Sequence, residues 1–163
     1  MKKLILFALI TLLPMVASAK EYELYCSIGD VSTGGPFLED SNVRFEFEYR
    51  YFEGYFLRVK VINKTDKRIT IEWENARISG EQICFDTDNI YSYNNPKPDE
   101  VVHANSSAYK KIGERKSPDY RPFIFNEDLI KKHGESVRRL IIPIKLPSGE
   151  IVDYDLYVCL RYK

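Results

Sequence analysis

The chain has 163 residues, with 24 basic and 24 acidic side chains and a formal net charge of zero. That balance, with both signs mixed along the chain, excludes the strongly basic surface that nucleic acid or an anionic membrane would select. The length suffices for one domain with a full core, and 12 Tyr and 9 Phe beside a single Trp favour strands over helices.

Residues 1–19 have the form of a cleavable secretory leader. Met1-Lys2-Lys3 is a basic head, Leu4 to Val16 is an apolar run broken only by Thr11 and Pro14, and Ala17-Ser18-Ala19 supplies the small residues that signal peptidase reads. The run is shorter than the ~20 residues a bilayer span requires. Cleavage after Ala19 is therefore expected, leaving residues 20–163 as a single β domain in a bacterial periplasm or secreted. The residues before Cys26 do not form the small-residue box that precedes a lipidated cysteine, so no membrane anchor is expected after cleavage.

Tyr22 to Ile28 alternates apolar and polar residues, the pattern of a half-buried strand. Gly29 to Asn42 reads as loop around Gly34-Gly35-Pro36. Val43, Phe45, Phe47, Tyr49 and Tyr51 then share one face, with Arg44, Glu46, Glu48 and Arg50 on the other. A turn at Phe52-Glu53-Gly54 returns the chain as a partner strand, Tyr55 to Ile62, with Tyr55, Leu57, Val59 and Val61 inward. After a polar turn, Ile69, Ile71 and Trp73 alternate in a further strand. A short strand fits near Gln82 to Asp86, and Glu100 to Ile112 has room for another. Asn126 is a good helix cap, Glu127 and Asp128 suit the first turn, Lys131, Lys132 and His133 the last, and Gly134 the stop. Val137 to Leu146 and Ile151 to Tyr162 form a closing hairpin. About seven or eight strands and one short helix predict an all-β fold: an antiparallel β-sandwich of immunoglobulin-like topology, with a small closed barrel as the alternative.

The stretch from Leu57 to Glu74 contains a strand ending in Asn63-Lys64-Thr65, a short turn, and a strand closing on Trp73-Glu74. It resembles a pattern in uncharacterised bacterial secreted and lipoprotein-type envelope proteins with immunoglobulin-like domains. Val101 to Ser107 and the closing strands from Leu140 to Tyr162 extend the resemblance. It implies a sandwich and supplies no catalytic residue. Trp73 is the expected core anchor between sheets, as large aromatics are in such folds.

Cys26, Cys84 and Cys159 are an odd set in a compartment that permits disulfides. First and last strands of immunoglobulin-like sandwiches often lie side by side and parallel. A Cys26–Cys159 disulfide is expected on that ground, leaving Cys84 as a buried thiol. The facing opposes it, since Cys26 patterns with the apolar face and Cys159 with the polar one. A Cys26–Cys84 bridge and no bridge remain open.

Catalytic signatures are weak. His103 and His133 are the only histidines, the second at a helix end where its charge suits the dipole. No nucleophile elbow, phosphate loop or metalloprotease run occurs. Asp86-Thr87-Asp88 lacks the glycine and distal glutamate of a calcium loop, and Asp153 and Asp155 read as a solvated strand face. Tyr91 and Tyr93, before Asn94-Asn95-Pro96, are the candidate partner surface. The reading is a non-catalytic binding or structural module without cofactor or metal, facing an envelope protein or a glycan and not nucleic acid. The alternatives are an accessory, chaperone-like protein acting through a strand edge and, third, a carbohydrate-active hydrolase.

Overall fold

The computed structural model describes residues 22–28, 31–32, 35–50, 54–89, 91–116 and 122–162. The leader at 1–19, the start of the mature chain at Lys20, Tyr51 and the Phe52-Glu53 part of the first turn lie outside the described residues. The strands are β1 (Tyr22–Ile28), β2 (Val31–Ser32), β3 (Phe37–Glu39), β4 (Val43–Tyr49), β5 (Leu57–Asn63), β6 (Ile69–Ile71), β7 (Arg77–Ile78), β8 (Glu81–Phe85), β9 (Glu100–Val102), β10 (Ser107–Glu114), β11 (Glu135–Lys145) and β12 (Ile151–Tyr162). One helix, α1 (Glu127–His133), precedes β11. The fold is all-β and antiparallel with one short helix, as the alternation predicts.

The strands form one path, β2-β1-β12-β11-β7-β8-β10-β5-β4-β3, with β6 added to β11 and β9 to β6. The count among the described residues is twelve rather than seven or eight. The surplus is β2, β3, β7 and β9, each of two or three residues. Segments that short cannot display a period of two.

The ends of the path curl toward each other. The Gly35 carbonyl accepts from the Cys26 amide of β1 at 3.0 Å, and the Pro36 carbonyl from the Phe47 amide of β4 at 2.8 Å. Two consecutive carbonyls thus bridge the first and last parts of the sheet. Across the same seam the Tyr154 hydroxyl donates to Asp40 Oδ2 at 2.9 Å, and the Tyr154 ring lies 5.0 Å from that of Phe45. The result is a near-closed, barrel-like sheet around one core. Phe45 and Phe47 of β4 oppose Val61 and Val59 of β5, and Leu156 and Val158 of β12 fill the other wall.

Trp73 is buried at 1 % exposure, packs edge-on to Phe85 at 5.9 Å, and donates from Nε1 to Glu100 at 2.8 Å. It sits in a 3-10 turn (Trp73–Asn75) after β6 and not in the strand itself. The indole keeps the facing the alternation gives it, while the backbone turns away toward β7. Tyr55 departs from its expected inward facing: it lies in the turn before β5, 42 % exposed.

The two ends of the chain's fold do meet, but with reversed direction. β1 runs antiparallel to β12, Cys26 opposite Val158 and Tyr25 opposite Cys159. Side chains directly opposite share a face, so Cys26 and Cys159 leave opposite faces of the sheet. A Cys26–Cys159 bond is thereby excluded in this arrangement, and both residues, like Cys84, are buried thiols.

Candidate functional site

A cleft of about 520 Å3 lies at the end of the sheet where β4 and β10 stop and β11 begins. Its wall on one side is the segment 122–126 leading into α1. That segment is fixed at three points. The Ile124 amide donates to the Gly54 carbonyl at 2.8 Å, the Asn126 amide to Ser136 Oγ at 3.1 Å, and Arg138 Nε to the Ile124 carbonyl. Phe125 turns inward, buried, with its ring edge-on to Tyr49 at 4.9 Å. Phe123 turns outward, 53 % exposed, and stacks on Tyr55 with ring centroids 4.6 Å apart and an interplanar angle of 22°. Residues two apart share a face in a straight strand, so it is the bend at 124–125 that turns one ring into the core and leaves the other at the mouth of the cleft.

Glu114 ends β10 on the core-facing side and is 4 % exposed. Its carboxylate lies between two cations, Lys116 Nζ at 3.2 Å and Arg138 Nε at 3.6 Å. A buried carboxylate is tolerated when it is paired in this way. The cleft therefore offers a stacked aromatic platform at its mouth and an ion-paired carboxylate below, with Asp128 exposed at the rim. Asn126 caps α1, its Oδ1 accepting from the amides of Asp128 and Leu129 at 2.8 and 3.2 Å.

The residues singled out from sequence are scattered. Tyr91 is 89 % exposed, but Tyr93 is 1 % exposed, with its hydroxyl 3.5 Å from the Glu114 carbonyl. The pair does not form one surface. Beside Tyr93, Lys97 is buried, its Nζ 2.6 Å from Asp88 Oδ2 and 5.7 Å from the Phe85 ring centre. Asp88 also accepts from the Phe85 amide at 2.7 Å, and Asp86 pairs with Lys111 at 3.4 Å, so both aspartates serve the loop's own structure. Asp155 forms a two-point pair with Arg139 at 2.8 and 2.6 Å, and that pairing holds its carboxyl below the usual range. His103 and His133 are both exposed. Among the described residues no group of three His, Cys, Asp or Glu side chains is placed to hold a metal ion. No helix among them is long and apolar enough to cross a membrane.

Sequence reasoning missed Glu114, Arg138 and the Tyr55–Phe123 stack. Phe123 had a local signal, an aromatic beside Pro122 in a loop. Glu114 had none, because Lys110-Lys111-Ile112-Gly113-Glu114-Arg115 reads as charged surface.

Comparisons with known proteins place nothing beside this chain. No family model matches it, no curated protein matches it, and no solved structure matches it.

Proposed function

We propose that this chain is a non-catalytic, exported binding module of the bacterial envelope that holds a glycan segment in the cleft beside Phe123. The observation that carries the reading is the exposed Tyr55–Phe123 stack at the mouth of the 520 Å3 cleft, with the Glu114–Arg138–Lys116 cluster in its wall. The apolar face of a pyranose ring lies well against an exposed aromatic ring, and paired charges at the cleft wall give its hydroxyls donors and acceptors. The export and envelope parts of the proposal rest on the leader-like residues 1–19 and on the resemblance carried by 57–74. An immunoglobulin-like kinship of the fold belongs to the same proposal; the resemblance supports it, and the continuous strand path favours a barrel. The non-catalytic part rests on the lack of a nucleophile-and-base arrangement in the sequence.

Isothermal titration of the protein against a panel of neutral and acidic oligosaccharides tests the reading. At least one should bind, and Phe123→Ala should weaken it about tenfold or more, with an unchanged melting temperature because half of that ring is already in water. Binding that ignores Phe123→Ala sinks the assignment of the cleft. Release of reducing ends from the same sugars would replace it with the hydrolase reading.

A further inference from the structure

The surface offers a second feature far from this cleft. β11 carries Arg138 at one end and Lys145 at the other, about 23 Å apart at ~3.3 Å per residue. Beyond Lys145 lies a groove of about 460 Å3 lined by Lys67, Arg68, Thr70, Val101, Lys145 and Leu146 among others. Among the described residues no carboxylate lines it: Asp66, Glu100 and Glu150, each next in sequence to a lining residue, stand outside, and Glu100 is held by Lys110 and Trp73. None of its three cations has an ion-pair partner among the described residues. That is unusual on this surface. On the outer face of β4 and β5, Arg44 and Lys60 share Glu46 at 2.9 and 3.2 Å, while Arg50 and Arg58 share Glu48 at 2.6 and 3.4 Å.

The groove borders a strand edge. Lys145 lies opposite Thr70, and Thr70 opposite Val101, so the three form one row across β11, β6 and β9 on the outer face. Among the described strands β9 pairs with β6 alone; Asn63 Nδ2 donates to the Val102 and His103 carbonyls at its C-terminal end, at 3.1 and 3.0 Å, and Val101 is 49 % exposed at the end of the row. A strand laid against β9 would continue the row. Its alternate side chains would fall beside Val101 and face the positive potential of the groove. Positive charge without internal partners, next to an available edge, selects an extended segment rich in Asp and Glu.

We infer that β9 and the Lys67–Arg68–Lys145 groove form a docking site for an extended acidic peptide, which adds as a further strand to the sheet. This is independent of the glycan reading and uses none of its residues.

The probe is a fluorescein-labelled peptide of alternating Glu and Val, followed by fluorescence anisotropy against the full chain. Saturable binding is expected. It should weaken about tenfold or more in the K67E/R68E/K145E variant, whose three side chains are exposed and leave the core untouched, and similarly in ~0.5 M salt. Two further peptides carry N-methyl groups on alternate residues in opposite phase. Strand addition predicts that one phase loses binding about tenfold or more while the other keeps it, because only one set of amides faces β9. Equal binding by both phases overturns strand addition. Unchanged binding by the charge-reversed variant overturns the groove. Heparin that binds while the peptide does not would assign the groove to a polyanionic glycan instead. Phe123→Ala should leave peptide binding unchanged, so the two sites succeed or fail separately.

Discussion

Cys26 is wholly buried on the core face of β1, and its thiol pKa is pushed up to about 12 from 9.0, first by burial and then by the charge of Cys159. The Cys159 thiol is raised as well, again chiefly by burial, on the other face of the same strand pair. Neither sulfur is a nucleophile at neutral pH, since reactivity follows the thiolate. The shift has a sign for stability. The folded protein holds the Cys26 proton more tightly than the unfolded chain does, so the contribution is complete below pH 9.0 and is lost as the pH rises from there toward about 12. Tyr25 and Tyr154, also raised above their ordinary value of 10.0 by burial and then by carboxylate partners, act in the same direction at higher pH. Urea midpoints should therefore fall between pH 9 and 12, and less steeply in Cys26→Ala than in the parent chain. A parent and variant with parallel alkaline limbs would show that Cys26 titrates normally.

At the scale of elements, α1 is the clearest case of local encoding. Asn126 supplies the N-cap through two amide hydrogen bonds, and Gly134 closes the helix at φ +87°, its amide donating to the Ile130 carbonyl at 2.8 Å. Nothing lies within 4 Å of a Cβ built on Gly134, so Gly134→Ala meets no clash and costs only the left-handed backbone, about 1 kcal/mol. Asn126→Ala should cost about 1 kcal/mol through the lost cap. The two sites are far enough apart along the helix for the double variant to be close to additive. A Gly134→Ala loss well beyond 2 kcal/mol in denaturant melts would mean that the site is sterically filled. Long strands were equally legible: β4 alternates without interruption, β5 does so as far as Val61, and β12 does so except at Cys159, which is buried on the face opposite Leu156, Val158 and Leu160. Two kinds of element were not. β7 and β9 are too short to carry a period, so they exist only because β11 and β6 offer edges to pair with. The segment 86–99 is polar by composition, yet Tyr93 and the Lys97–Asp88 pair are buried. A paired buried charge has the same one-letter code as a solvated one. The candidate site was illegible for the same reason, because Glu114 is buried by Arg138 and by segment 122–126, which come from elsewhere in the chain.

At the scale of the whole molecule, the open question in any curled sheet is whether its ends are joined, because an unpaired edge invites other chains. Here the seam is made by backbone atoms, the Gly35 and Pro36 carbonyls accepting from Cys26 and Phe47, reinforced by Tyr154 and Asp40. Main-chain carbonyls are present at every residue, which is why the closure had no signature in the sequence, and Gly34-Gly35-Pro36 read only as loop. The seam makes a definite prediction for hydrogen exchange. The amides of Cys26 and Phe47 belong to strands remote from each other in the path, yet both bond to adjacent atoms of one short strap. They should open in the same event and exchange at matched rates, far slower than exposed loop amides. Pro36→Gly loosens the strap by adding unfolded-chain freedom worth up to about 1 kcal/mol. Both amides should then exchange about fivefold faster and by the same factor. Independent acceleration of one amide without the other would show that the two ends of the sheet are not joined through residues 35 and 36, and that the molecule is an open sheet whose edges must be protected some other way.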